Sequence, residues 1–180
     1  MKRLLALFIS ACLIGGCAGA AYERSLKDLP KSDFSVEIPS GWWKPQHINK
    51  YMITKDGPFL QYVLIQQRPI DSPFKKTQKK LRRGMLPLES AKIILDEIAA
   101  DRNIMNFNVV ENTPATVDGH AGFKILFSYR DKKGAEYKTL YYGFISGDSF
   151  FNLRYNAAAR HYYDKDLADF NRILYSFKLI

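Results

Sequence analysis

Three alternating runs joined by two very short polar turns constrain the fold of this chain more than any other feature. Gly122 to Tyr129 places Phe123, Ile125, Phe127 and Tyr129 on one face, Tyr137 to Ile145 runs back, and Phe150 to Asn156 follows. Asp131-Lys132-Lys133-Gly134 and Ser146-Gly147-Asp148 are the connections. Alternation with period two is the signature of a strand, and connections this short force consecutive strands to pair antiparallel. Phe107 to Asn112 adds a strand ahead of a loop expected around Pro114 and Val117-Asp118-Gly119. Tyr137, Tyr141, Tyr142, Phe144, Phe150, Phe151 and Tyr155 load both faces of this meander with large side chains. Both faces therefore need cover, with most of these rings in core and cross-strand pairs. A pocket lined by tyrosines is the alternative use for them.

The helices that could supply that cover are legible too. Pro87 to Asn103 carries Leu88, Ala91, Leu95, Ile98 and Arg102 at spacings of three and four, widened by Ile94. Proline suits a first helical turn, Glu89 complements the positive helix start, and Arg102 the negative end. A last helix is expected with Asp164 as its cap and Leu167, Phe170, Ile173, Leu174 and Phe177 along its buried side. Ahead of these, Phe34 to Ile38 alternates as a half-buried strand closed by Pro39-Ser40-Gly41. Tyr51 to Thr54 and Phe59 to Gln67 are further strands around a Lys55-Asp56-Gly57-Pro58 turn, and Pro69 and Pro73 break the pattern. Strands, helix, strands, helix predicts an α+β domain: a mainly antiparallel sheet of about six or seven strands with two main helices.

The amino terminus gives an address. Met1-Lys2-Arg3 is positive, Leu4 to Ile14 is uncharged and mostly apolar, and Gly15-Gly16-Cys17 closes the run. That order marks a secretory signal, and the run is too short for a membrane span of about 20 residues. Cys17 after Ile14-Gly15-Gly16 resembles a bacterial lipobox. The resemblance implies a signal peptide at 1–16, acylation at Cys17 as the lipidation site, and stable anchoring by more than one chain. Ala18-Gly19-Ala20 is a competing small-residue cleavage site that would leave a soluble periplasmic product, and Ile9-Ser10-Ala11-Cys12 is a second lipobox-like string with a shorter apolar run. Ala18, where lipoproteins retained at the inner membrane of enteric bacteria carry aspartate, favours the periplasmic face of the outer membrane by analogy. Residues 17–33 then form the lipidated terminus and tether, and 34–180 a single domain.

Removal of residues 1–16 leaves 164 residues and takes Lys2 and Arg3 with it, so 25 cations face 18 anions. That length suits one domain with a sizeable core. Cys17 is then the one remaining cysteine, so no intrachain disulfide is available and the core alone holds the fold. An export signal turns the basic excess away from nucleic acid and toward the phosphorylated lipids and glycolipids of the envelope.

The strand Phe34-Ser35-Val36-Glu37-Ile38-Pro39 followed by Gly41-Trp42, with a closing helix that ends on Ser176-Phe177, resembles the Mog1/PsbP-like α/β/α sandwich domains. The resemblance implies that fold for residues 34 to 180. The partners known in that family, a small GTPase in one branch and photosystem components in another, do not carry over, because no residue here matches a functional motif.

Catalytic motifs are absent from the sequence. His47, His120 and His161 stand isolated, without a cysteine pair or a His-Glu-x-x-His pattern to make a zinc site. Gly143-Phe144-Ile145-Ser146-Gly147 misses the nucleophile elbow by one position, which leaves Ser146 as a turn residue. No phosphate-cradling glycine loop and no cofactor motif occurs, and Glu89, Asp96, Glu97 and Asp101 are expected as solvated helix charges. Trp42 and Trp43 divide between a core anchor and an aromatic binding platform. The strongest local signal is basic: Lys75, Lys76, Lys79, Lys80, Arg82 and Arg83 put six cations in nine residues. They are candidate contacts for an anionic glycolipid or an acidic envelope protein, against a solvated loop as the alternative. The expected function is a non-enzymatic envelope lipoprotein that binds a partner or assists assembly, with a hydrolase built on a histidine–carboxylate site as the alternative.

Overall fold

Antiparallel pairing of the alternating runs builds one six-stranded sheet. The computed structural model describes residues 33–46 and 51–180. In chain order these form β1 (Phe34–Ser35), β2 (Met52–Ile53), β3 (Gln61–Pro69), α1 (Pro87–Ala99), β4 (Met105–Val117), β5 (His120–Arg130), β6 (Glu136–Ser146), β7 (Ser149–Ala158), α2 (Tyr162–Ser176) and β8 (Lys178–Leu179). The large sheet has the order β2-β3-β7-β6-β5-β4, and β1 pairs with β8 in a separate two-stranded sheet. The expected turns close it: Gly134 and Gly147 take positive φ, and the Asp131 carboxylate accepts from the N–H groups of Lys133 and Ala135.

Alternation sorts the large side chains to two opposite faces. Phe123, Ile125 and Phe127 of β5 join Tyr141 and Phe150 on one face, where α1 lays Ala91 and Ile94 on them. The other face carries Val63, Ile65, Leu140, Phe144, Leu153 and Tyr155 beneath Phe170, Ile173 and Leu174 of α2. Phe34 and Phe177 extend this second core, stacked at 5.4 Å, and tie the small sheet to it. Each large apolar side chain removed from water contributes about 1.5–3 kcal/mol, so the two cores hold the described residues, which contain no cysteine. The expected α/β/α sandwich is the observed architecture.

Several boundaries differ from the sequence expectation, among them that of β1, which ends at Ser35 rather than Ile38. β4 runs straight through Pro114 to Val117 instead of giving way to a loop. It is the edge of the sheet, where a missing N–H can face water. α1 stops at Ala99, before Asn103, and its buried residues are Ser90, Ala91 and Ile94, while Leu88 is 43% exposed. α2 starts at Tyr162, so Asp164 lies in its first turn and complements the dipole without capping it. β3 also begins later than Phe59, which is 85% exposed in the Gly57–Leu60 turn.

Candidate functional site

The basic run from Lys75 to Arg83 is an irregular strap laid along α1. Leu81, 2% exposed, anchors its middle in the α1-side core, and its N–H donates to the Ile70 carbonyl. Glu97 of α1 pins the start of the strap by accepting from the Lys76 and Thr77 N–H groups and from the Thr77 hydroxyl. Burial alone would raise the Glu97 carboxyl, but these donors outweigh it and hold it below the usual glutamate range.

Half of the six cations meet acids. Lys79 pairs with Asp96 at 2.7 Å and Lys76 with Asp101 at 3.6 Å, while both Arg83 donors grip Asp148. Asp96, Glu97 and Asp101, expected as free solvated charges, are instead the counter-surface of the strap. Lys75, Lys80 and Arg82 are exposed and make no ion pair among the described residues.

The strap lies at the end of the sheet where the domain begins. Gln67, near the end of β3, donates to the Asp33 carboxylate at 2.8 Å, and the Ile180 N–H donates to the Asp33 carbonyl. At that same end Pro69 pairs with Ser149, Ile70 donates to the Asp148 carbonyl, and Arg83 closes onto the Asp148 side chain. Cys17, with the rest of residues 1–32, and His47 lie outside the described residues.

The other candidates scatter. Trp42 is the core anchor, 8% exposed, with its indole N–H on Asp169 at 3.0 Å; Trp43 is 46% exposed and donates to the Lys55 carbonyl. His161 precedes α2 on the surface, its ring against that of Tyr162. His120 and Ser146 meet, Nε2 to Oγ at 3.2 Å, while His120 Nδ1 faces the Asp118 carbonyl at 2.9 Å. The Asp118 carboxylate itself is taken by Lys178 and the Leu179 N–H. A hydroxyl–imidazole contact is therefore present, and among the described residues no carboxylate is hydrogen-bonded to the ring. No group of three metal-ligating side chains converges among the described residues, and no described helix is long and apolar enough to cross a membrane.

Solved structures place the architecture. LpqN of Mycobacterium tuberculosis, involved in cell envelope biogenesis, superposes with a TM-score of 0.55 at 16% identity, over 81% of this chain and 82% of that one. The cyanobacterial PsbP of Synechocystis gives 0.56 at 12% identity, over 93% and 99%. The Ran-binding Mog1p of Saccharomyces cerevisiae gives 0.52 at 6% identity, over 82% and 90%. The fold is the Mog1/PsbP-like sandwich. No protein-family model and no curated protein sequence matches the chain.

Within this Mog1/PsbP-like sandwich, one polar cluster escaped sequence reading. Asp166, 1% exposed, receives Lys55 Nζ at 3.0 Å and Gln61 Nε2 at 2.9 Å. Lys55 also reaches Asp169, and Gln61 reaches Asp56, which Lys165 holds in turn. The available signal was an acid on the apolar stripe of α2, in line with Tyr163, Phe170 and Ile173. Its partners come from more than 100 residues away in sequence, beyond any local pattern.

Proposed function

We propose that this chain is a non-enzymatic accessory lipoprotein of the bacterial envelope, anchored through Cys17 on the periplasmic face of the outer membrane. Its basic strap rests on anionic glycolipid head groups. The observation that carries this is the shared end of the domain: Asp33, where the tether enters, and the strap both sit beside the β3 terminus and Asp148. A tether of about 16 residues spans at most about 50 Å, so the strap stays close to whatever surface holds Cys17. Lys75, Lys80 and Arg82, free of internal acids among the described residues, are the charges available to that surface. LpqN's involvement in cell envelope biogenesis fits this setting.

Binding of the purified domain to vesicles carrying lipopolysaccharide, compared with neutral vesicles, tests the contact. Near an anionic surface each cation contributes about 1 kcal/mol, and added salt weakens it. Substituting Lys75, Lys80 and Arg82 with glutamate should abolish salt-sensitive binding and leave the melting temperature unchanged. Equal binding by this variant overturns the assignment. Anchoring is tested separately: wild type should incorporate a labelled fatty acid in cells, and Cys17→Ser should not.

The hydrolase alternative rests on the Ser146–His120 contact. It is the weaker one, because the nearby Asp118 carboxylate is committed to Lys178 and Leu179 rather than to the imidazole.

A further inference from the structure

The first turn of α1 meets the sheet where the sheet's side chains are smallest. On the α1 face Ala121 precedes Phe123 in β5, and Gly143, the partner of Phe123 in β6, has no side chain at all. The helix brings Ser90 to this place, again a small residue, while Ala91 and Ile94 behind it pack on the β5 aromatics. Small residues facing small residues leave a hole. A cavity of about 200 Å³ lies there, with Met85, Pro87 and Ser90 on one side and Ala121, Phe123 and Ile145 on the other. The Phe123 ring, which lies across Gly143, forms part of its wall. Gly84, at φ +75°, carries the chain past the mouth, and the cavity is partly open to solvent.

The lining defines what fits. Ser90 is 3% exposed, and its hydroxyl has no hydrogen-bond partner among the described residues. Among those residues it is the one polar side chain that lines the cavity, and no charged side chain does. An ion would find no counter-charge in this space, and a wholly apolar guest would leave the hydroxyl unmatched. Gly84 brings bare main chain to the mouth, which suits a guest whose polar head also donates. Leu86, between two lining residues, is 65% exposed and continues the apolar surface outward. A cavity of about 150 Å³ admits benzene, so this one takes an aliphatic chain of about six to eight carbons.

We infer that this cavity binds a short-chain, uncharged acyl amide. The amide carbonyl accepts from the Ser90 hydroxyl, its N–H turns to the main chain at the mouth, and the chain lies between Met85, Phe123 and Ile145. The site uses neither the charges of the basic strap nor Cys17, so it stands apart from the membrane contact proposed above.

The test titrates the mature chain with butanamide, hexanamide, octanamide and decanamide, read by NMR at the Ser90, Ala121 and Gly122 amides and the Met85 methyl. Octanamide should give saturable shifts at these groups. Each methylene that enters the cavity should tighten binding about fourfold, so affinity should climb from butanamide to octanamide. Decanamide should gain less than twofold more, because the space is full; adsorption to an open apolar surface would keep rising. Octanoate, the charged counterpart, should bind at least tenfold more weakly than octanamide, and added salt should leave the octanamide affinity unchanged, unlike any contact made by the strap. Ser90→Ala should weaken octanamide about tenfold without lowering the melting temperature, whereas a hydroxyl kept for the fold would lower it. Ala121→Leu, at an exposed position on the rim, should plug the cavity and abolish the shifts. Absence of saturable shifts, affinity that rises undiminished to decanamide, equal binding of octanoate, or undiminished binding by either folded variant overturns the site.

Discussion

The carboxylate of Glu97 accepts hydrogen bonds from both the backbone N–H and the side-chain hydroxyl of Thr77, each at 2.9 Å. One helix side chain thus fixes the course of the basic strap, and the strap's conformation depends on a charge that local sequence leaves unassigned. Replacing Glu97 with alanine removes three anchors at once and should cost about 2 kcal/mol of stability. Faster amide exchange should appear at 75–80 while the sheet keeps its protection. Uniform destabilisation without local loosening would show that the strap is held otherwise.

Acid should release the same contact. Glu97 lies below its ordinary value despite burial, because backbone donors favour its charge, and Asp96 lies low through its hydrogen bond from Lys79. The unfolded chain therefore binds these protons at a higher pH than the folded one. Their stabilisation is complete above the ordinary carboxylate range and disappears as pH falls from that range through the depressed folded values. Urea midpoints across this range should fall, and Glu97→Gln should flatten the fall.

Lys55 is the cation that compensates Asp166 beneath α2. Lys55→Met leaves that 1%-exposed carboxylate with Gln61 alone and should destabilise the domain by about 3 kcal/mol. Combining it with Asp166→Leu should recover much of the loss, since removing both partners leaves no stranded charge. A double-mutant cycle with no coupling would contradict this.

Gly143 is required by its neighbours. A Cβ there would lie 2.5 Å from Phe123 Cζ and 2.8 Å from Phe150 Cζ, two rings already stacked at 6.2 Å. Gly143→Ala should cost about 1–3 kcal/mol through overpacking, a fall of several degrees in melting temperature for a domain of this size. An unchanged melting temperature would mean that both rings can move aside.

Ser146 and His120 offer a direct check on catalysis. With the Asp118 carboxylate engaged elsewhere, a fluorophosphonate probe should not label Ser146 stoichiometrically. Rapid labelling lost in His120→Ala would revive the hydrolase.

The meander, the two helices and the need for cover on both faces are legible in the residues alone, because alternation, helical spacing and turn chemistry are properties of neighbouring residues. Phe123, Ile125 and Phe127 were assigned to one face by that logic and lie there, and Gly134 and Gly147 close their turns as expected. The passage of β4 through Pro114 became visible in the assembled fold, since edge position is a fact about the whole sheet. The tertiary structure alone turned Asp96, Glu97 and Asp101 toward the basic strap, and set Lys55 against Asp166. A charge declares itself in sequence, but its partner is chosen by packing, which joins residues that no local period connects.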